Sequence, residues 1–346
     1  MSQYLVLSRI DIQNANAIAG LTWGFPAITQ FLGFSHALNR KLSQVYNGHY
    51  DIHLSGCAVI CHTHHSKVYQ PKKHADFEFL QSKNPPVLAK HKNSSPSIIE
   101  EGKMNLSISL IIEIEKALSL SSDAIKTFED EVKNLIHQTR IAGGSVLRVS
   151  KVKYLSASTG EQESSLLRQV KKMTMPGFVL LDRKEYLAAH YQSLLENNQD
   201  KGSKLDLIDA WLDFSAMVYK AVPHLADENT TPDESTPADW EYVPKPNSGY
   251  LVPIMSGYKA ISDVYDPGEV LNTRDEKTPA CFVEAVHSVG EWQSVHRISC
   301  LKQTTWRYQH EGHWYLCQQE RNDTDPDDLK KMETQTVDIN QALNFF

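Results

Sequence analysis

A chain of 346 residues with 41% hydrophobic side chains is long enough for two domains, or for one large elaborated one, around a buried core. Nowhere do about 18 apolar residues follow one another, and the opening MSQYLVLSRI has no basic region ahead of an apolar run, so the expectation is no membrane span, no secretion and a cytoplasmic location. The net charge of -7 is an average over two unlike parts: residues 133–184 hold ten Lys/Arg against three Asp/Glu and suit phosphates, whereas residues 226–346 hold ten against twenty-one and suit another protein, unless each is simply a solvated face.

In chain order, residues 3–12 (QYLVLSRIDI) read as a strand whose apolar side, Leu5, Leu7, Ile10 and Ile12, shifts near Ser8. A polar loop follows, and Pro26 then suits the first turn of a helix reaching Leu42, with Ile28, Phe31, Leu32 and Leu38 at helical spacing. Gly33 inside that helix implies close packing against another backbone. Residues 51–62 alternate as a strand. Residues 63–96 form a basic excursion in which Lys67, Lys72, Lys73, Lys83, Lys90 and Lys92 are interleaved with Tyr69, Phe77 and Phe79; it is too long for an ordinary connection and reads as a projecting arm. Residues 104–113 alternate again, and Ile125, Phe128, Val132, Leu135 and Ile136 mark an amphipathic helix stopped by Gly143-Gly144. A further strand follows at 145–149 or at 177–181.

Strand, helix, strand, strand, helix, strand is the order of an α+β, ferredoxin-like (split βαβ, RRM-like) domain, with both helices on one sheet face and the other face free for RNA. This body spans residues 1–182. Beyond it, helices at 182–196 and around Leu205, Ile208, Leu212 and Ala216 suggest a small helical insertion over 183–225. Residues 226–248 are acidic, proline-rich and poor in aliphatics, as in a mobile loop. Residues 249–346 mix strand-like runs with three tryptophans and read as a strand-containing region completing the body.

The loop QNANA supplies Gln13, Asn14 and Asn16, amides that both donate and accept hydrogen bonds, beside Trp23. Such a set suits RNA bases and sugars; equally, the amides serve the loop's own backbone and Trp23 plugs the core. Gly143-Gly144 is either a helix C-cap or a loop that lets a phosphate approach backbone amides between Arg140 and Arg148. Five scattered cysteines imply reduced thiols. Cys57, Cys61, His62, His64 and His65 offer zinc ligands within nine residues, but on a strand Cys57, Val59 and Cys61 share a face from which His62 points away. His310 and His313 have the wrong spacing for a zinc-protease helix, and DTDPDD at 323–328 lacks the glycine and the final acid of a calcium loop. No metal or cofactor is expected. His36 offers a general base for metal-independent RNA cleavage, without a second acid-base group in evidence.

QNANA (13–17), LTWGFP (21–26), GFSHAL (33–38), RIAGGSV (140–146), PGFVLL (176–181), GYLVPIMSGYKAIS (249–262), PGEVLNTRD (267–275), TPACFVE (278–284) and GEWQSVHR (290–297) together resemble a known family. The chain is similar, over almost its whole length, to the second Csy subunits, the Cas-five-like proteins of type I-F CRISPR surveillance complexes (Cascade). That resemblance implies a non-catalytic RNA-binding scaffold that grips the crRNA 5' handle, pairs with the large PAM-reading subunit, contacts the first backbone subunit and serves target DNA recognition in the assembled complex. The alternative is a crRNA-processing endoribonuclease of the RAMP class. It also implies that the arm at 63–96 is a thumb and that RNA meets Arg9, Gln13, Asn14, Asn16, Trp23, Lys72, Lys73, Phe77, Arg140, Gly143, Gly144, Ser145 and Arg148.

Overall fold

The computed structural model describes residues 2–46, 52–83, 98–116, 118, 120–197, 204–224, 233, 236–273 and 275–320. Strand β1 (Ser2–Asn16) runs into a small hairpin of β2 (Ile18–Ala19) and β3 (Thr22–Trp23), then helix α1 (Ile28–Val45). Strand β4 (Leu54–Ser66) leads through β5 (Val68–Tyr69), β6 (Glu78–Phe79), β7 (Gln81–Lys83) and β8 (Ile98–Glu100) to the returning β9 (Lys103–Ile114). Helix α2 (Ser122–His137), β10 (Arg140–Ile141), β11 (Gly144–Ala157), α3 (Gly160–Thr174) and β12 (Phe178–Asp182) follow. The remainder comprises α4 (Lys184–Asn197), α5 (Leu207–Ser215), β13 (Tyr219–Pro223), β14 (Ala238–Tyr242), β15 (Leu251–Ala260), β16 (Val283–Ser294), β17 (Trp306–Glu311) and β18 (Trp314–Gln319). The architecture is α+β, and ten strands form one sheet in the order β10-β11-β1-β9-β4-β12-β16-β15-β18-β17, with β17 also meeting β4 through Trp306 opposite Cys57.

The chain divides into two compact units, the first from Met1–Leu181, Ile254–His287 and Gln293–Phe346, the second from Asp182–Pro253 and Ser288–Trp292. Central to the first is β1, antiparallel to both β11 and β9. The expected shift of its apolar side is a backbone irregularity: Arg9 takes φ +47 and pairing with β9 skips from Leu7 to Ile10. A one-residue slip turns every later side chain to the other face, so Ile10 and Ile12 remain buried.

Helix α1 buries Ile28, Phe31, Leu32, Leu38 and Leu42, and α2 buries Phe128, Val132, Leu135 and Ile136. Ser121 caps α2, its hydroxyl accepting from the Ala124 N–H at 3.3 Å. A Cβ built on Gly33 meets nothing within 4 Å among the described residues, so the close approach expected there is not found among them.

Helix α3 was not foreseen. Thr159 caps it at 3.4 Å from the Gln162 N–H, Glu161 and Glu163 occupy its first turn, and Lys171 and Lys172 its last, matching the helix dipole. Leu166 and Val170 pack with Tyr4, Val6, Ala58, Ile60, Ile111 and Val179. These β1 residues alternate with Leu5, whose cross-strand neighbour Tyr154 packs edge-on to Phe128 of α2. The sheet face expected to be free for RNA is therefore covered, because the run Tyr4-Leu5-Val6-Leu7 is apolar on both sides and each buried side chain contributes about 2 kcal/mol.

In the second unit Leu187, Ala210, Trp211, Phe214, Leu251 and Val289 form a small core. The Trp211 indole N–H donates to the Ser288 carbonyl at 3.2 Å, and Arg183 pairs with Glu291 at 2.7 Å. The last residues of the expected helical insertion and part of the expected acidic loop are instead strands: β13 and β14 pair from Tyr219 opposite Tyr242 to Pro223 opposite Ala238. Tyr, Val and Trp favour extended backbone even where acidic neighbours lower mean hydropathy. Residues 225–232, like the 323–328 acidic run, lie outside the described residues.

Candidate nucleic-acid interface

Strand β1 ends in the amide loop. Asn14 takes φ +58, a left-handed conformation that asparagine tolerates. Its backbone N–H donates to Asn105 Oδ1 at 3.2 Å, and its side-chain oxygen accepts from Lys67 Nζ. Asn16 binds its own loop, Nδ2 donating to the Ile18 carbonyl at 3.0 Å while Oδ1 accepts from the Ile18 N–H at 3.1 Å. Gln13 and Asn14 stay exposed.

The glycine pair does not cap α2, which ends at His137 with Gln138 as its C-cap. Ala142 (φ +49) and Gly143 (φ +76) are the two central residues of a tight hairpin that pairs Ile141 with Gly144 and Arg140 with Ser145. Two successive left-handed residues are the I′ geometry that matches strand twist. Gly144 is needed for a different reason: a Cβ there would lie 2.6 Å from Ile12 Cγ2, 2.7 Å from the Gln13 carbonyl oxygen and 2.8 Å from the Ala15 nitrogen. The hairpin sits directly on the amide loop, and the Asn16 N–H donates to the Ala142 carbonyl at 2.8 Å. Ser145 lies opposite Gln13.

The base of the arm joins the same end of the sheet. β4 continues to Ser66, so Thr63–Ser66 belong to the sheet and not to the arm, Thr63 lying opposite Ser107 and Ser66 opposite Met104. The Lys67 N–H donates to the Lys103 carbonyl, and the Ala17 N–H to that of Gly102. Trp23 stacks on Phe79, which occupies one face of the indole that the sequence offered to a base. Lys72, Lys73 and Phe77 lie in the turn between β5 and β6; both lysines are exposed and Phe77 is 67% accessible. Lys90 and Lys92 fall outside the described residues.

The cations differ in availability. Arg140 is exposed and has no ion-pair partner among the described residues. Arg148 places Nε and Nη2 each 2.8 Å from Asp11 Oδ2, so its charge is already matched. Arg9 donates Nη2 to the Met175 carbonyl at 2.9 Å, and its N–H to Ser109 Oγ at 2.9 Å. The Pro176 carbonyl can only accept, so His62 Nδ1 carries the proton on that side at 2.7 Å, and in the neutral ring Nε2 then accepts from the Ser109 hydroxyl at 2.7 Å. Burial pushes the His62 pKa down, which favours this neutral form. Of these groups, Asn105 gave no signal in the sequence, because only the β4-β9 and β1-β9 pairings bring it beside Asn14.

Cys57 and Cys61 lie in the core, where burial pushes both thiols up to about 12, and His62 is turned to Ser109 and Pro176. Among the described residues no three His, Cys, Asp or Glu gather into a metal site. His36 is exposed on α1 and makes no side-chain hydrogen bond or ion pair among the described residues. No described helix is long and apolar enough to cross a membrane.

Residues 5–317 match the Cas_Csy2 family model, described as a CRISPR-associated protein. Over 315 residues the chain is 33% identical to the CRISPR-associated protein Csy2 of Pseudomonas aeruginosa (strain UCBPP-PA14), an alignment covering 88% of this chain and 91% of that one. Matched along nearly its whole length, the chain belongs to the Csy2 family of CRISPR-associated proteins.

Proposed function

We propose that the chain is a non-catalytic RNA-binding scaffold subunit of a type I-F CRISPR interference complex. It binds the 5' handle of the crRNA at the β1 end, pairs with the large PAM-reading subunit, touches the first backbone subunit and presents the guide to target DNA. The observation that carries this reading is the meeting of three separate sequence stretches, the amide loop, the glycine hairpin and the base of the arm, at one end of the sheet. Exposed amides read base edges and sugars, while Arg140, Lys72 and Lys73 offer charge to phosphates. A ferredoxin-like body is the matching fold proposal. Its support is the strand order β11-β1-β9-β4, antiparallel throughout, with α1 between the first two of these strands in the chain and α2 between the last two.

Tagged chain co-expressed with the large subunit and a CRISPR array tests the reading, with the small RNA that elutes being sequenced. A stable pair carrying RNAs that share one repeat-derived 5' end supports it. Tagged chain that elutes with neither partner, from amino- and carboxyl-terminal tags alike, refutes it.

A further inference from the structure

The β2-β3 hairpin is too short to stand alone. Each of its strands has two residues, and even a longer two-stranded ribbon is marginal in water. Its inner end is tied to the amide loop by Asn16, and its flank to the arm by Trp23 stacked on Phe79. Its outer end, Gly20-Leu21, is held by a residue from a distant part of the chain. The Leu21 N–H donates to Nε2 of His287, on β16, at 3.0 Å. Gly20, at φ +63, lies against the same ring: a Cβ there would stand 2.7 Å from His287 Cε1 and 3.1 Å from Ala285 Cβ. Ala19 and Ala27 pack alongside with Met255 of β15. The Leu21 side chain is 75% exposed, so little apolar burial holds the tip.

A backbone N–H only donates, so Nε2 accepts and the neutral ring carries its proton on Nδ1. Once protonated, the imidazole has no acceptor left for Leu21. Burial lowers the His287 pKa, opposed by a hydrogen bond with the Ala19 backbone, so the folded contact favours the neutral ring. Among the elements around it, residues 17–25 have no charged side chain. β15 carries Tyr258 and Lys259, the latter over the Trp314 ring at 4.7 Å. β16 carries Glu284, which is exposed, and Glu291, which is paired with Arg183. Resting on the RNA reading above, we propose that His287 is a positioning residue of the RNA interface: it clamps the β2-β3 turn beside the amide loop while its ring is neutral and releases it on acidification. Residues 249–346 hold none of the expected RNA-binding residues, yet through this contact they govern RNA affinity.

The test compares the full wild-type chain with His287→Gln, whose amide oxygen still accepts from Leu21 but does not titrate, and with His287→Ala, which removes the acceptor. Two quantities are measured: hydrogen exchange of the 17–25 amides, which needs no RNA, and affinity for synthetic handle RNA at about pH 7.5 and about pH 5. At the higher pH, His287→Ala should exchange faster over 17–25 and bind RNA about fivefold more weakly, while His287→Gln matches the wild type in both. On acidification the wild type should lose about threefold more affinity than His287→Gln, a difference that also carries the test if His287→Ala does not fold. Equal exchange in His287→Ala and wild type overturns the clamp. Faster exchange with unchanged RNA affinity, or equal acid losses in wild type and His287→Gln, overturns the positioning role and leaves the RNA reading standing. A wild-type chain that binds no handle RNA, while its 17–25 exchange still responds to His287→Ala, overturns the RNA reading and the positioning role with it.

Discussion

Gly143 and Gly144 are adjacent, yet the structure requires glycine at each for a different physical reason, and substitutions separate the two. At Gly144 an added Cβ falls 2.6–2.8 Å from Ile12 Cγ2, the Gln13 carbonyl and the Ala15 nitrogen, far inside the ~3.5 Å of ordinary contact. Two of the three obstacles are backbone, so the hairpin must lift off the amide loop, at a cost of about 2–3 kcal/mol. At Gly143 the nearest atom to such a Cβ is Asn16 Cβ at 4.0 Å, and only the φ of +76 resists alanine, a penalty of about 1–2 kcal/mol. Asparagine, which visits that conformation readily, should cost less. Urea unfolding should therefore rank Gly144→Ala below Gly143→Ala below Gly143→Asn. A loss of 2 kcal/mol lowers the thermal midpoint by roughly 4–8 °C for a body of this size. Since the lifted hairpin carries Arg140 away from Gln13 and Asn14, Gly144→Ala should also weaken handle RNA binding, whereas Gly143→Asn should not. Equal stabilities for Gly144→Ala and Gly143→Asn would refute the claim that hairpin and loop are held in contact.

Arg140→Ala should weaken handle binding and lower the salt slope by about 0.7; Arg148→Ala should do less in a filter-binding titration, because that charge is already paired with Asp11. Burial lowers the His62 pKa in the folded state, so near and below the ordinary imidazole range the unfolded state binds more protons at this residue than the folded one. The stability that His62 contributes is therefore present well above the ordinary imidazole pKa of about 6.5 and falls as pH drops through and below it, a loss that His62→Gln should reduce when urea midpoints are compared at pH 7.5 and pH 5.5. Gly33→Ala, with open space around its Cβ, should stabilise α1 by about 1 kcal/mol, read as a higher urea midpoint.

The parts of the fold legible in the sequence are those whose buried side chains recur at one period. β1, α1, β9 and α2 announce themselves this way, and even the slip at Arg9 shows as a change of phase near Ser8. Helix α3 hides because only Leu166, Val170 and Thr174 of its fifteen residues are buried, and its last-turn lysines look like an RNA-facing stretch. The β10-β11 hairpin hides because Ala142-Gly143 lacks the Asn-Gly or Asp-Gly signature, so a glycine pair after a helix imitates a C-cap. Pairings such as Trp306 with Cys57 join residues far apart in sequence, and no local pattern encodes them. At the site, residue type marked Asn16 and Trp23 but not the use each finds: Asn16 turns to its own loop and Trp23 to Phe79.

The same distinction between a residue's charge and its availability predicts how strongly salt should govern RNA binding. Ten Lys/Arg lie in residues 133–184, and if every one met a phosphate on single-stranded RNA the logarithmic salt slope would be about -7. Four are already engaged: Arg148 with Asp11, Lys153 with Glu129, Arg183 with Glu291, and Lys171 with the His296 carbonyl. Arg168 and Lys172 are carried by α3, the helix that covers the sheet face once expected to hold RNA. Of the expected RNA-binding cations, the exposed ones without an ion pair among the described residues are Arg140, Lys72 and Lys73. The isolated chain should therefore bind handle RNA with a slope near -2, with Gln13, Asn14 and other neutral contacts supplying specificity that salt does not remove. A slope near -7 would mean that the internal ion pairs open to receive phosphates, and that the chain grips RNA by its whole basic band and not by one end of its sheet.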